Sequence, residues 1–186
     1  MDEDLSIINT NTRNEKIKNF FVNNKNKIIS GIIILMIIIV GVFSYDKYLI
    51  NKKKGISDSY NSIIIDYSEK TKEKTASSLI EIINKKDPTY SPLSLYFIVD
   101  NNLVSDQSKI NSLFDVLIKD TSLDSEINNL IMYKKALYNA DNAQESDLLN
   151  MLNPLINSKS VWKSHSLYLM AEYFYANNQK QKAKEF

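Results

Sequence analysis

The 186-residue sequence predicts an all-α protein, with a single N-terminal transmembrane helix ahead of a solenoid of helical hairpins. Three observations carry that expectation. Residues Ile28–Ser44 read IISGIIILMIIIVGVFS, 17 residues without a charge. Beyond them, apolar side chains recur at helical spacing, and no segment sustains strand-like alternation between turn signals. Glycine and proline, the residues that punctuate strands and turns, number only three each.

Composition removes several function classes. There is no cysteine and one histidine, His165, so thiolate nucleophiles, disulfide frameworks and zinc clusters are not expected. Three glycines, two of them (Gly31 and Gly41) inside the apolar run, cannot build a phosphate-cradling loop. Lys and Arg total 23 against 22 Asp and Glu, a net charge of +1 that argues against nucleic-acid binding. Ile, Asn and Lys supply 69 residues against a single arginine, Arg13, a skew that reflects the source genome's habit rather than function. No enzyme activity, cofactor, metal or small-molecule substrate is expected.

As a helix, the apolar run spans about 25 Å, near the short limit for crossing a bilayer core. Thirteen of its residues are Ile, Leu, Val, Met or Phe. At roughly −0.3 to −0.6 kcal/mol each, they favour insertion by on the order of 5 kcal/mol. The β-branched isoleucines are no obstacle, because in lipid a lone segment satisfies its backbone hydrogen bonds only as a helix. Tyr45 and Tyr48 follow the run where an interfacial aromatic belt sits, and Phe20 and Phe21 approach its other end. A cleaved signal peptide is the competing reading, with Val42-Phe43-Ser44 imitating a cleavage site. The run exceeds the usual apolar length of about 7–15 residues, and the long polar lead-in also favours a retained anchor. Basic residues leave orientation open: Arg13, Lys16, Lys18, Lys25 and Lys27 precede the run, and Lys47, Lys52, Lys53 and Lys54 follow it. The Lys52–Lys54 stretch reads as a solvated, membrane-proximal face.

From Asp46 onward, 18 basic and 18 acidic residues cancel. Tyr60, Ile63, Ile64 and Tyr67 mark one helix, able to continue from the apolar run. Ala76, Leu79, Ile80 and Ile83 mark the next, ended by Asp87-Pro88 because a residue before proline avoids helical geometry. Further helices are expected over 91–103, 107–119, 123–140, 144–157, 160–177 and 179–186, with Ser105, Thr121 and Ser160 as N-cap candidates.

These pairs repeat. Ala136 and Ala171 lie 35 apart, as do Leu148 and Ala183; Ile110 and Leu148 lie 38 apart, as do Phe114 and Leu152. A period in the mid-thirties with two helices per unit is the tetratricopeptide pattern. Leu167, Met170, Ala171, Phe174 and Ala183 fall at its positions 4, 7, 8, 11 and 20. The second unit keeps Ala136 but departs at Lys135, Asn139 and Leu148. The first replaces the small residues with Ile98 and Ile110. Phe186 falls at position 23, inside the second helix of the third pair, so the repeat domain is expected to be incomplete at that point.

Asn14-Glu15-Lys16-Ile17-Lys18-Asn19-Phe20-Phe21, then Asn24-Lys25-Asn26-Lys27 and an apolar span, resembles the start of the bacterial ancillary Sec translocon subunit family. Pro88-Thr89-Tyr90, Lys134-Lys135-Ala136, and Trp162 ahead of Ala171-Glu172 extend the resemblance over nearly the whole chain. It implies a cytoplasmic tail (1–27), a transmembrane helix (28–45), a membrane-proximal helical segment (46–88) and a periplasmic tetratricopeptide-like domain (89–186). It also implies an inner-membrane location with the N-terminus in the cytoplasm. The implied partners are the Sec translocon, a membrane-anchored periplasmic chaperone and exported clients. A periplasmic cell-envelope or cell-division scaffold with the same repeat domain is the alternative, since fold alone does not separate the two roles.

In such solenoids, the first helix of each pair lines the concave wall. The corresponding residues are His165, Tyr168, Glu172 and Tyr175 in the third unit, with Tyr133 and Leu137 in the second. Tyrosine joins a broad apolar face to a hydroxyl and suits protein recognition, although the same residues also suit packing between hairpins. His165 lies between Ser164 and Ser166, but neighbouring helical positions diverge and no orienting acid accompanies them. Trp162 reads as a hairpin-packing residue.

Overall fold

The computed structural model describes residues 2–186, with side chains from Thr12 onward. Nine α-helices and no strand occur among these residues. They are α1 (Asp2–Asn23), α2 (Lys25–Ile65), α3 (Lys72–Asn84), α4 (Tyr90–Asp100), α5 (Gln107–Asp120), α6 (Ser125–Asn139), α7 (Glu145–Ile156), α8 (Lys163–Ala176) and α9 (Lys180–Ala183). The chain divides into two compact units, the first ending at Lys52 and the second spanning Lys53–Phe186.

Within the first unit, the apolar part of α2 is bare on every side. Ile32 and Ile33 are 54% exposed, Ile37 66% and Phe43 70%. A continuous apolar surface of this kind is unfavourable in water and natural in lipid. Among the described residues, α2 is the one helix long and apolar enough to span a membrane. At 1.5 Å per residue it extends about 60 Å, well beyond a hydrocarbon core of about 30 Å. Its last turns, Ile56 to Ile64, belong to the second unit. There the apolar residues narrow to a stripe, with Ile56 buried and Tyr60, Ile63 and Ile64 partly buried at spacings of four, three and one. The helix thus changes from apolar all round to one-sided.

The second unit is a succession of helices, each packed on the next from α3 to α9, with additional α3–α5 and α6–α8 contacts. The pairs α3–α4, α6–α7 and α8–α9 pack most extensively. The expected pairing of α4 with α5 is therefore looser than that of α4 with α3. Two apolar clusters fill the interior. The first gathers Leu79, Ile83, Leu95, Ile98, Ile110, Phe114 and Ile131; the second gathers Ala136, Leu148, Leu152, Leu155, Met170 and Phe174. Helix α6 supplies both, through Ile131 and Ala136.

Polar residues on α5 and α6 form a seam between these helices. The Gln107 and Asn111 amides each donate to Asn139 Oδ1 at 2.9 Å, and Asn139 Nδ2 donates back to Asn111 Oδ1 at 2.8 Å. Lys135 Nζ donates to Asp115 Oδ1 at 2.7 Å. Burial pulls the Asp115 carboxyl upward, but Lys135 and Lys119 outweigh it and hold the group below its usual range.

Helix ends depart from expectation in detail. The N-caps are Asp106 for α5 and Asp124 for α6, rather than Ser105 and Thr121. Asp106 Oδ1 accepts from the Ser108 and Lys109 amides, and Asp124 Oδ1 from that of Glu126. A carboxylate there also answers the positive end of the helix. Thr121 instead closes α5, its hydroxyl donating to the Val116 carbonyl. Ser160 is not the N-cap of α8 either: Trp162 holds that position, and the Ser160 hydroxyl accepts from the Trp162 amide at 3.1 Å in the turn before it. Helix α3 stops at Asn84, ahead of Asp87-Pro88, because Lys86 adopts a left-handed conformation (φ 55°). Asn102 (φ 49°) and Asn178 (φ 60°) do the same after α4 and α8. With no glycine beyond Gly55, asparagine takes the role usually given to glycine at helix ends.

Candidate functional site

Helix α8 buries Ser166, Leu169, Met170 and Phe174, which leaves the opposite side of its cylinder outward. His165, Tyr168, Glu172 and Tyr175 lie on that outward side, with Tyr168 and Tyr175 each 64% exposed. On α6, the burial of Ala136 and Asn139 leaves Leu137 48% exposed and Tyr133 half-buried.

The six residues fall into two linked groups. Tyr133 stacks on Trp162 with ring centroids 5.8 Å apart, and His165 sits 5.2 Å from Trp162 and 5.9 Å from Tyr133. This group fastens the start of α8 against α6. The turn below it is held by Glu126, whose carboxylate accepts from the Ser160 hydroxyl at 2.7 Å and the Val161 amide at 3.3 Å. Burial and then the Glu172 charge push the Tyr133 phenol upward. The second group is Tyr168, Glu172 and Tyr175. The Glu172 carboxylate raises the pKa of Tyr168.

Two clefts meet at Glu172 and Ala176. The larger, about 640 Å³, lies between α8 and α9, floored by Ala171, Ala176 and Ala183 and walled by Tyr168 and Tyr175. Lys180 and Lys184 stand on its α9 side. The smaller, about 410 Å³, lies toward α6 and includes Leu137, Asp141 and Asn177. The structure thus brings Tyr168, Glu172 and Tyr175 to one cleft and Leu137 and Glu172 to the other. Tyr133 and His165 line neither.

Lys180, Lys184 and Asp141 also line these clefts and lie outside the expected repeat positions. The available signal was the i, i+4 spacing of Lys180 and Lys184 beside Ala183, a small residue already expected to sit against α8. Trp162 does pack between helices, as its sequence position suggests, but it also completes the aromatic group.

Chemically, the surface is suited to non-covalent contact. Ser166 is buried with its hydroxyl donating to the Trp162 carbonyl at 2.9 Å, whereas His165 points outward, so the two side chains do not meet. Among the described residues, no three His, Cys, Asp or Glu side chains gather as metal ligands do. No protein-family model, curated protein or solved structure matches the chain.

Proposed function

We propose that this chain is a single-pass membrane protein whose tetratricopeptide-like helical domain docks other proteins outside the cytoplasm, as an ancillary subunit of the Sec translocon. The observation that carries the reading is one chain joining two features. An α2 segment that is apolar on every side is followed by paired helices whose last pair leaves Tyr168 and Tyr175 uncovered. The solenoid element rests on Met170 and Phe174, buried at two repeat positions, on Ala171 and Ala183 facing one cleft, and on the α6–α8 contact expected between first helices of successive pairs. The translocon element rests on the sequence resemblance. The mechanism is tethering: confinement to the membrane raises the domain's effective concentration beside channel and chaperone.

Crosslinking of the full chain in native membranes, followed by mass spectrometry, tests this reading. Recovery of a Sec channel component together with a membrane-bound chaperone is the expected result. Neighbours confined to cell-division or envelope components would overturn the translocon assignment. A reporter fused after Phe186 tests topology, and activity only in the cytoplasm would defeat the exported orientation.

A further inference from the structure

We infer that the α8–α9 cleft receives an amphipathic helix of a partner protein, one that carries acidic residues along the edge facing α9. This deepens the docking reading above and rests on it. Three lysines, Lys180, Lys182 and Lys184, lie in or beside α9. Lys182 is committed to the fold: its Nζ lies 2.9 Å from both Glu145 carboxylate oxygens and 5.2 Å from the Phe174 ring, which ties α9 to α7 and α8. Lys180 and Lys184 line the cleft and have no carboxylate partner among the described residues. Lys180 lies 5.8 Å from the Tyr175 ring, which holds its charge at the edge of the aromatic wall. Being four residues apart on a helical turn, Lys180 and Lys184 share one face.

The opposite wall differs. Tyr168 and Tyr175 present broad rings, three alanines leave room between the helices, and Glu172 is the one acid lining the cleft. The cleft therefore has an apolar, aromatic side on α8 and a basic side on α9, with two lysines and a single carboxylate along its lining. A helix seated lengthwise would place apolar residues against α8 and acidic residues against Lys180 and Lys184. A basic helix would meet uncompensated like charge. The volume of about 640 Å³ accommodates a few side chains from one face of such a helix.

The test uses the full chain in nanodiscs of zwitterionic lipid and two fluorescein-labelled helical peptides. Both carry the same Leu/Ala face; one is flanked by Glu, the other by Lys. At low salt, the Glu-flanked peptide is expected to bind about tenfold more tightly, a preference that shrinks as salt screens the exposed pairs. K180E/K184E should abolish the preference, while Y168A/Y175A should weaken both peptides with helical circular dichroism unchanged. Equal binding of the two peptides, or tighter binding of the Lys-flanked one, overturns the acidic partner while leaving the cleft a docking site. Binding of neither peptide overturns the cleft's role and leaves the Sec crosslinking result to stand or fall separately. Retention by anionic vesicles through Lys180 and Lys184 without peptide capture would also overturn the inference.

Discussion

Ile32 and Ile33 in the first unit and Ile82 and Ile83 in the second are the same pair of residues on the same kind of backbone. The first two are 54% exposed, whereas the second two are 1% and 0% exposed. The second pair obtains its apolar surroundings from α3, α4 and α5, whose neighbouring faces form a shared interior. The first obtains none from the chain and lies in a run long and apolar enough to span a membrane. The difference teaches that isoleucine content says little about packing until the polar residues between the isoleucines are considered. Around Ile82 and Ile83 stand Glu81, Asn84 and Lys85, which confine the apolar surface to one side; around Ile32 and Ile33 stand further apolar residues, Ser30 and Gly31, with no charge.

The sharpest way to break this comparison is to charge the exposed run. Each arginine near the centre costs about 2.5–3.5 kcal/mol, so Met36→Arg with Ile37→Arg should cancel the insertion energy and abolish membrane retention. Carbonate extraction of membranes checks this, and a double variant that stays in the pellet would remove the run from its anchoring role. The buried cluster should respond through stability instead. Phe114→Ala, at a site 1% exposed, is expected to cost about 3–5 kcal/mol in denaturant unfolding of the full chain in detergent, with membrane retention unaltered.

The α5–α6 seam should give a smaller effect. Asn139→Leu strips Gln107 and Asn111 of their shared partner and should destabilise by about 1–3 kcal/mol. An unchanged midpoint would mean that water replaces the network without loss. The smallest effect is expected from Asp115. Because its folded pKa lies below the usual 3.8, the carboxylate stabilises above its unfolded value, and this contribution disappears as pH falls through the lower folded value. With the side chain 39% exposed, the contribution is below about 1 kcal/mol after solvent screening. Asp115→Asn should therefore lower stability slightly at neutral pH and flatten its decline in acid.

Much of the helical layout is legible in sequence because apolar spacing is a local signal. The starts of α5, α7 and α9 lie within a residue of expectation, whereas α9 ends at Ala183 rather than continuing to Phe186. Caps are harder to place, since Ser105 and Asp106, or Thr121 and Asp124, are chemically competent neighbours and only backbone geometry selects between them. On α8, the stripe of Tyr168, Glu172 and Tyr175 follows from spacing alone. The Asn139 network does not, because its members lie 28 and 32 residues apart and asparagine is common throughout the chain. The contact of Tyr133 with Trp162 and His165 is hidden by separation alone, since their positions lie 29 and 32 residues from it.

Local sequence thus determined what 3.6-residue periodicity and uninterrupted apolarity can encode: a helical chain, one segment able to span a membrane, and the side each helix turns outward. Only the tertiary structure decided what depends on long-range closure. It chose α3 over α5 as the main partner of α4, joined α5 to α6 through a polar seam, and set Lys180 and Lys184 opposite Tyr168 and Tyr175. The physical reason is that burial within a helix repeats every few residues, whereas contact between helices depends on how loops and complementary shapes bring distant surfaces together.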